Sequence, residues 1–500
     1  MNNIKDLISK AKKFYDNKNF FDAKTCLLQA LKSNEIDRKD EPSLHYLIAD
    51  ICYKINDFND AEKYLLKYIE FGNTNSKIFN FLGNIYLKKR NYKESEKFYI
   101  KAIDLDDKNE NALVNLAILY QNLGKQKLAA SFYKKIIEKN PKNIGALYNL
   151  SNIDKKIISD KKILLLSNLM KEKDLTDFDL ASSYFLLAEN EKNKKNFNEE
   201  INFLEKANDY SFKVNENIKK QSNEYWLKVI PYKFKRINYV KKEKSNALAE
   251  NIFPIFIVGL PRCGSTLIES IISSGKIKVE NLGETNLVNW AFINTNRDIL
   301  GKITDENKEK KIEINFDNTA SKLRSAFNNF NINKEKEKCF FSEKSLENFY
   351  YIELILNIFP NAKFINPHRN LVDNIFAIYK QFLSNISWSH SIKNILSYID
   401  HYLTTIEYFK NKYDNKILSI SLENLTKNPK EVSKEIYKFC NLIWDKKCLE
   451  FYKRNDLFSN TASNNQIRAS VQKYDQSKYQ VYRKILKDHQ KKYNWINLNS

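Results

Sequence analysis

Small and large apolar residues recur at a fixed spacing in the first third of the chain. Leu82, Gly83, Tyr86, Ser95, Tyr99 and Ala102 have counterparts 34 positions later in Leu116, Ala117, Tyr120, Ala129, Tyr133 and Ile136. Small residues at such positions let the two helices of a repeat approach closely, and large apolar residues fill the groove between neighbouring repeats. With looser copies on either side, the pattern predicts a helical repeat array over residues 1–212.

Beyond residue 251 the pattern changes to short apolar runs that alternate with helical segments. The runs at 253–260, 338–341, 362–366 and 416–422 predict buried strands, and the segments 265–274, 347–358, 371–383 and 429–440 predict helices. Strand and helix in alternation are typical of a parallel sheet that is covered by helices on both faces. We therefore predict an α/β domain over residues 251–500.

Residues 213–250 separate these two regions and show only weak periodicity. Basic residues are interleaved with aromatic ones near residues 233–236, a mixture that also occurs in nucleic-acid-binding proteins. A solvated connector between two domains accounts for the same composition more simply. We predict a basic, partly helical connector and no nucleic-acid partner.

The composition excludes several classes of protein. At 42% hydrophobic and 29% charged residues, the chain of 500 residues is typical of a globular protein with two or three domains. Its six cysteines include no C-x-x-C pair, and none of its five histidines forms a helical pair beside a glutamate. We therefore expect neither a disulfide framework nor a metal site.

Charge and hydropathy bear on partners and location. The net charge of +22 indicates an anionic partner, although an excess of lysine over arginine also fits a general compositional bias. The first residues lack an apolar signal segment, and no run of about 18 apolar residues occurs in the chain. The sequence predicts a cytoplasmic protein without a transmembrane segment.

Four of the nine glycines fall within residues 259–283, and the first two bracket the motif GLPRCGST. A predicted strand enters this turn, and a helix that begins with two hydroxyl residues leaves it. Such a turn directs backbone N–H groups and the positive end of the helix dipole at one anion. A nucleoside-triphosphate loop carries lysine just before the hydroxyl residue. Here Ser265 has that position and the cation is Arg262, so the pattern predicts an anion site without the ATP-specific lysine.

The segment 258–267 resembles the 5′-phosphosulfate loop of sulfotransferases that use 3′-phosphoadenosine 5′-phosphosulfate (PAPS), usually P-[RK]-S-G-T-T. The resemblance continues through most of the chain after about Pro254. The 34-residue register matches tetratricopeptide (TPR) repeats, and the combination resembles the bacterial TPR-repeat sulfotransferases. The loop arginine and a downstream Gly-Glu are also similar to those of tyrosylprotein sulfotransferases.

This resemblance implies a fold and an activity. The expected fold is an α-helical TPR solenoid followed by an α/β P-loop-like domain with a parallel sheet flanked by helices. The expected activity is transfer of a sulfuryl group from PAPS to a hydroxyl or an amine, with PAPS as co-substrate and no metal. The expected acceptor is a peptide or protein, a glycan or a small molecule, and the TPR repeats bind either the acceptor or a protein partner.

The resemblance also implies roles for residues in the first half of the domain. Arg262 contacts the transferring sulfuryl group and the bridging oxygen. The cradle of the 5′-phosphate consists of Gly264, Ser265 and Thr266, with Cys263 where serine is usual. Glu284, within Asn-Leu-Gly-Glu, is the general base, and Lys344 is a second cation at the transition state.

Further residues match the remainder of the cofactor site. Arg369 corresponds to the arginine that holds the 3′-phosphate, but the companion serine of the family falls on Ala377. Ser463 and Lys478, followed by Tyr479, resemble the segment that closes over the cofactor. The glycine that is customary in that segment is replaced by Ser477.

Other interpretations stay open at the level of sequence. Arg262 would also suit a nearby carboxylate, Glu284 and Lys344 would also suit solvated positions, and Cys263 would be reactive if the helix terminus lowered its pKa. Two other functions compete. One is a P-loop kinase that needs magnesium and ATP, and the other is a non-catalytic TPR adaptor with a decayed domain. The acceptor pocket is expected to involve residues 285–335 and 384–400.

Overall fold

A computed structural model describes residues 4–498 apart from 34–35, 37–38, 173, 241–250, 302–310, 328–329, 331–337 and 462. Part of the predicted connector, part of the first predicted acceptor segment, and Ala462 of the closing segment therefore lie outside the described residues. The chain forms two compact units. The first consists of the described residues of Met1–Tyr120, Ser131–Ile136 and Arg324–Asn331, and the second contains the described remainder.

The first unit is built from paired helices. They are α1 (Ile4–Asp16), α2 (Phe20–Leu31), α3 (Glu41–Lys54), α4 (Phe58–Glu70), α5 (Ser76–Lys88), α6 (Tyr92–Leu105) and α7 (Glu110–Asn122), of which α7 extends to the start of the second unit. Asn75 and Asn91 cap α5 and α6 through side chains that accept from Ile78 N and Glu94 N. Gly83 lies directly against the buried ring of Tyr99, which explains the small residue that the repeat pattern requires there.

Helical pairs continue into the second unit. After α8 (Gln126–Lys139), which is shared between the units, come α9 (Ile144–Ile153), α10 (Asp160–Leu169), α11 (Asp177–Asn193), α12 (Phe197–Lys213), α13 (Glu216–Glu224) and, beyond a π-helical turn at Tyr225–Val229, α14 (Ile230–Lys233). A capping box of Thr176 and Asp179 begins α11. The helical N-terminal region that the sequence predicts is thus confirmed.

The α/β domain contains a five-stranded parallel sheet. Its strands are β2 (Ile252–Ile257), β3 (Val279–Asn281), β5 (Cys339–Glu343), β6 (Lys363–His368) and β7 (Ile417–Ser421), in the order β3-β5-β2-β6-β7. Pro254 is accommodated in the central strand, since β2 pairs with β6 only from Ile255 onward. All four strands predicted from apolar runs are present, with ends that differ by a few residues.

Helices flank this sheet. They include α15 (Ser265–Ile272), α16 (Leu287–Gly301), α18 (Ile352–Ile358), α19 (Leu371–Tyr379), α20 (Ile392–Lys412), α21 (Leu422–Lys427) and α22 (Pro429–Phe439), while α17 (Phe316–Phe327) begins in this unit and ends among residues of the first. The segment that the sequence predicts as one helix over 347–358 begins as a 3₁₀ turn at Leu346–Tyr351. The fold class of a parallel sheet between helices is confirmed.

A second, two-stranded sheet was not predicted. Strand β1 (Ile237–Val240) pairs in parallel with β4 (Ile312–Asn315), and the register places Ile237 opposite Ile312. β1 lies in the stretch predicted as a connector, where its four residues are too few to show a clear period. The remaining chain contributes short 3₁₀ segments, among them Lys446–Lys453, Gln466–Arg468 and Gln480–His489.

Two observations concern membrane-spanning helices and metal sites. Among the described residues, no helix combines the length and the apolar character needed to cross a bilayer. Cys52, Asp57 and Asp60 lie close enough together to share an ion. The ammonium group of Lys24 pairs with the carboxylates of Asp57 and Asp60 at 2.8 and 2.7 Å. Lys24 therefore supplies the positive charge that balances these two carboxylates.

Candidate active site

The five parallel strands end at one edge of the sheet, and each end leads directly into a segment with candidate chemistry. The glycine loop follows β2, Glu284 follows β3, Lys344 follows β5, Arg369 follows β6 and Glu423 follows β7. In open α/β sheets, ligands bind outside the carboxyl ends of the strands, where neighbouring connections diverge. The strand order places the glycine loop at the centre of this edge, between the ends of β5 and β6.

The glycine loop has an unusual backbone. Gly259 and Gly264 have φ of +140° and +87°, and Arg262 itself has φ of +67°. A Cβ at Gly259 would lie 2.9 Å from Oδ1 of Asn366, and one at Gly264 would lie 2.7 Å from a methyl carbon of Leu422. Both positions therefore favour glycine for conformation, and a side chain at Gly259 would also crowd Asn366 and the carbonyl of Pro367. The loop opens directly into α15, so its N–H groups share one end of that helix.

Arg262 is enclosed by residues from distant parts of the chain. Its Nη1 donates to Oγ of Ser463 at 2.7 Å, while Nε is buried without a hydrogen-bond partner among the described residues. Burial, together with the nearby guanidinium of Arg369, lowers the pKa of Arg262. Arg262 lines a cavity together with Tyr148 and Tyr479. This side chain is thus a cation with unused donor capacity.

The neighbouring loop residues are buried. Burial raises the pKa of the Cys263 thiol to about 12, so the helix terminus does not make it a reactive thiolate. Oγ1 of Thr266 lies 3.1 Å from Oγ1 of Thr461, which links α15 to the closing segment. Ser265 begins α15, as the motif predicted.

Glu284 and Lys344 form an ion pair. Nζ of Lys344 lies 2.9 Å from Oε1 of Glu284 and 3.7 Å from Oε2 of Glu269 on α15. The lysine side chain is 1% exposed, whereas that of Glu284 is 40% exposed. Burial opposes the charge of Lys344, but the two carboxylates outweigh it and raise its pKa. A buried ammonium group and an accessible carboxylate are therefore held together at the sheet edge.

Glu343 holds the loop that carries Glu284. Its carboxylate accepts from the backbone N and the hydroxyl of Thr285 at 3.2 and 2.8 Å. It also accepts from backbone N of Ser345 at 3.0 Å and from Nδ2 of Asn348 at 2.6 Å. The side chain is buried, and desolvation raises its pKa against these hydrogen bonds. From the sequence only the neighbouring Lys344 is predicted as a site residue, although a carboxylate at the end of a buried strand is a visible signal.

Arg369 lies behind the glycine loop. Its Nη1 donates to the carbonyl of Arg262 at 3.2 Å, and its Nη2 donates to the hydroxyl of Tyr474. That hydroxyl donates to Oδ2 of Asp373. The guanidinium carbon is 4.7 Å from the ring centroid of Tyr474 and 5.4 Å from that of Tyr479. The part played by Tyr474 was missed, since one tyrosine among 29 carries no local pattern.

The closing segment is anchored on the turn between α7 and α8. Nη2 of Arg468 donates to the carbonyl of Asn122 at 2.8 Å, and backbone N of Ser459 donates to the same carbonyl at 3.0 Å. Gly124 has φ of +76°, and a Cβ there would lie 2.6 Å from Nε of Arg468. The residues that meet the glycine loop, Thr461 and Ser463, are thereby fixed between these anchors.

Two cavities open beside the loop. One of about 190 Å³ is lined by Arg262, Ala377, Lys478 and Tyr479 and by residues of α9 and α11. The other, of about 560 Å³, is lined by Arg369, Tyr474 and Arg483. The structure thus brings Arg262, Ser463 and Lys478 to one place, with Ala377 beside them. It puts Arg369 in the adjoining cavity and Glu284 with Lys344 at the ends of β3 and β5.

Replacing Glu343 should loosen the Gly-Glu loop. In Glu343→Gln the donors of Thr285 and Ser345 lose a charged acceptor, and we expect the free energy of unfolding to fall by about 1–3 kcal/mol. Urea unfolding measures this, and hydrogen exchange at residues 283–286 should accelerate. The matched control is Glu280→Gln, on β3 three residues before Gly283, with a partly exposed side chain paired to Lys278. Equal effects of the two substitutions would contradict the role given to Glu343.

Glu347 should make stability depend on pH. Burial, with Glu284 and Glu343 nearby, raises its pKa from 4.5 to about 7. Between these values the native state keeps a proton that the unfolded chain has lost, so the stabilising contribution is present at low pH and disappears as pH rises. From about pH 5 to pH 8, Glu347→Gln should gain on the order of 2 kcal/mol relative to the parent protein.

Urea unfolding at several pH values checks this, with Glu435→Gln on the exposed face of α22 as control. A constant difference between Glu347→Gln and the parent across this range would refute the assignment.

Two protein-family models match parts of this chain. Residues 254–446 match the model described as sulfotransferase family, and residues 42–71, 76–109 and 110–143 match tetratricopeptide repeats. An uncharacterized protein of Aquifex aeolicus (strain VF5) is 27% identical over 344 residues. That match covers 66% of this chain and 43% of the relative, so the chain spans less than half of the relative's length.

Matches to solved structures are at low identity. The sulfotransferase domain from the Synechococcus PCC 7002 olefin synthase is 16% identical, with a TM-score of 0.30, over 47% of this chain and 94% of that one. A sulfotransferase from Mycobacterium tuberculosis H37Rv is 10% identical, with a TM-score of 0.29, over 59% and 92%. On the family matches, the chain joins tetratricopeptide repeats to a domain of the sulfotransferase family.

Proposed function

We propose that the protein is a PAPS-dependent sulfotransferase that transfers a sulfuryl group to a hydroxyl or an amine. The observation that carries this proposal is the pairing of Lys344 with Glu284 at 2.9 Å beside a glycine loop that presents Arg262. A fixed cation, an accessible carboxylate and an anion-binding loop at one sheet edge are the parts that such a transfer needs.

The proposed step moves one group in line. The acceptor oxygen forms a bond to sulfur while the bond from sulfur to the bridging oxygen of the phosphosulfate breaks, and adenosine 3′,5′-bisphosphate leaves. Glu284 takes the acceptor proton. Negative charge develops on the bridging oxygen, where Arg262 and Lys344 stabilise it. Fixed cations aimed at developing charge act without reorganising at the moment of reaction.

The ion pair also explains how the carboxylate of Glu284 becomes free to accept a proton. In the structure, the ammonium group of Lys344 pairs with Glu284 and with Glu269. A sulfuryl group that takes hydrogen bonds from Lys344 draws that ammonium group away from Glu284. The accessible carboxylate then has free lone pairs for the acceptor proton, so donor binding prepares the base.

The remaining parts of the proposal concern donor and acceptor. Gly264, Ser265 and Thr266 hold the 5′-phosphate with Cys263 as a passive, neutral member of the loop. Arg369, Ser463 and Lys478 contribute to the nucleotide site, and no metal is required. The TPR repeats bind the acceptor, or a protein partner, and the reaction takes place in the cytoplasm.

Ligand binding separates this proposal from a kinase. Adenosine 3′,5′-bisphosphate should raise the melting temperature in the presence of EDTA, because a ligand that binds only the native state stabilises it. Arg262→Ala should remove most of this shift. Stabilisation by Mg-ATP alone, with no response to the bisphosphate, would instead support a nucleotide phosphotransferase and overturn the proposal.

Turnover tests the two catalytic groups. With labelled PAPS and cell extract as a source of acceptors, Glu284→Gln should lower the rate of label transfer by about 10²–10⁴. Arg262→Ala should lower it by about 10²–10³. Glu280→Gln serves as a carboxylate control on β3, and mass spectrometry of the labelled products identifies the acceptor class. Unchanged transfer by Glu284→Gln would exclude it as the base.

A further inference from the structure

The cavity beside Arg262 has one wall made of repeat helices. Tyr148 on α9 and Phe185 on α11 line it together with Arg262, Ala377 and other residues of the α/β domain. This wall is firmly packed, since Phe382 inserts between the helices. Its ring centroid lies 5.0 Å from that of Phe185 and 5.5 Å from that of Tyr148. Farther along, Nδ2 of Asn208 on α12 donates to the carbonyl of Tyr379 at 3.1 Å.

The charged residues of the cavity are mostly basic. Five cations and one carboxylate line it, namely Lys155, Lys192, Arg262, Lys380, Lys478 and Glu189. Glu189 holds two of the lysines, with Nζ of Lys155 at 2.5 Å and Nζ of Lys192 at 2.9 Å. Lys380 is paired separately with the buried Glu200 at 2.5 Å. A positive surplus thus remains at the mouth, and a concave site with such a surplus attracts anions.

The size of the cavity limits what it can hold. Its volume of about 190 Å³ is below the roughly 300–1,000 Å³ of pockets that enclose whole ligands. It therefore suits one anionic group of a larger ligand. The proposed donor has two such parts, the phosphosulfate at the 5′ position, which the glycine loop addresses, and the phosphate at the 3′ position.

The α/β side of the cavity has an apolar position among its basic residues. Ala377 contributes only a methyl group to the lining, and the guanidinium carbon of Arg369 is 5.4 Å from the ring centroid of Tyr479, which also lines the cavity. Lys155, on the 3₁₀ turn after α9, and Lys192 of α11 add two ammonium groups that Glu189 orients. Ammonium groups form strong charge-assisted hydrogen bonds to phosphate.

Resting on the proposed function, we infer that the repeat helices complete the donor site: Lys155 and Lys192 bind the 3′-phosphate of the nucleotide. Glu189 is a positioning residue that keeps both ammonium groups at the cavity. The repeat region then has a second role besides any docking of acceptor or partner, because the nucleotide site is assembled from both parts of the chain.

The test compares two nucleotides and two double variants of the full chain. In Lys155→Ala/Lys192→Ala, the affinity for adenosine 3′,5′-bisphosphate should fall about tenfold or more, while that for adenosine 5′-monophosphate stays within about twofold. The matched control is Lys156→Ala/Lys194→Ala, which removes the same charge from adjacent positions outside the cavity lining. Lys194 pairs with Glu191 instead. Calorimetric titration at constant ionic strength provides the affinities, and circular dichroism checks folding.

Each outcome is decisive. If the parent protein binds the bisphosphate and the cavity variant binds it equally well, the inference is wrong while the proposed function stands. Equal losses for both nucleotides would assign the lysines to the 5′ end, and equal losses in the control variant would indicate only the general field of the protein. Either result overturns the assignment. A parent protein that binds neither nucleotide would overturn the proposed function and this inference with it.

Discussion

The arrangement of the site depends on keeping one ammonium group charged in the protein interior. Desolvating a charge costs several kcal/mol unless well-placed partners compensate for it. Lys344, at 1% exposure, has Glu284 at 2.9 Å and Glu269 at 3.7 Å. These partners stand on the loop after β3 and on the helix that leaves the glycine loop, so the requirement of one side chain brings three chain segments together. Glu343, from the same strand end, fixes the first of these segments through the backbone of Thr285.

Partial positive charges lie at the centre of the glycine loop, and full positive charges surround it. The backbone N–H groups and the terminus of α15 contribute partial charges at the centre. Arg262 adds a full charge with a buried Nε that is available for hydrogen bonding, and Arg369 adds another behind Tyr479. Lys155, Lys192, Lys380 and Lys478 line the cavity beside Arg262. A highly charged nucleotide would therefore meet the lysines first and the buried, less mobile guanidinium of Arg262 afterwards.

Local patterns accounted for what could be predicted. The repeat register, the glycine loop and the four apolar strands depend on residues near one another in the chain, and the structure contains all of these elements. Predicted ends were less accurate, as with the helix that extends only to Tyr379. The roles of Glu343 and Tyr474 depend on contacts across many tens of residues, for which a single sequence holds no period or spacing. Strand β1 was missed because four residues show no clear alternation.

The anchoring of the closing segment has an evolutionary consequence. Arg468 and Ser459 donate hydrogen bonds to the main-chain carbonyl oxygen of Asn122, and Gly124 leaves room for the guanidinium of Arg468. Main-chain acceptors tolerate many side chains, yet their hydrogen bonds require the turn to stay in place beside its donors. Duplication of a helical pair between α7 and α9 would separate this turn from the helices that follow it. Duplications ahead of α7 leave the turn where it is, so the array can lengthen or shorten at that end without disturbing the closing segment.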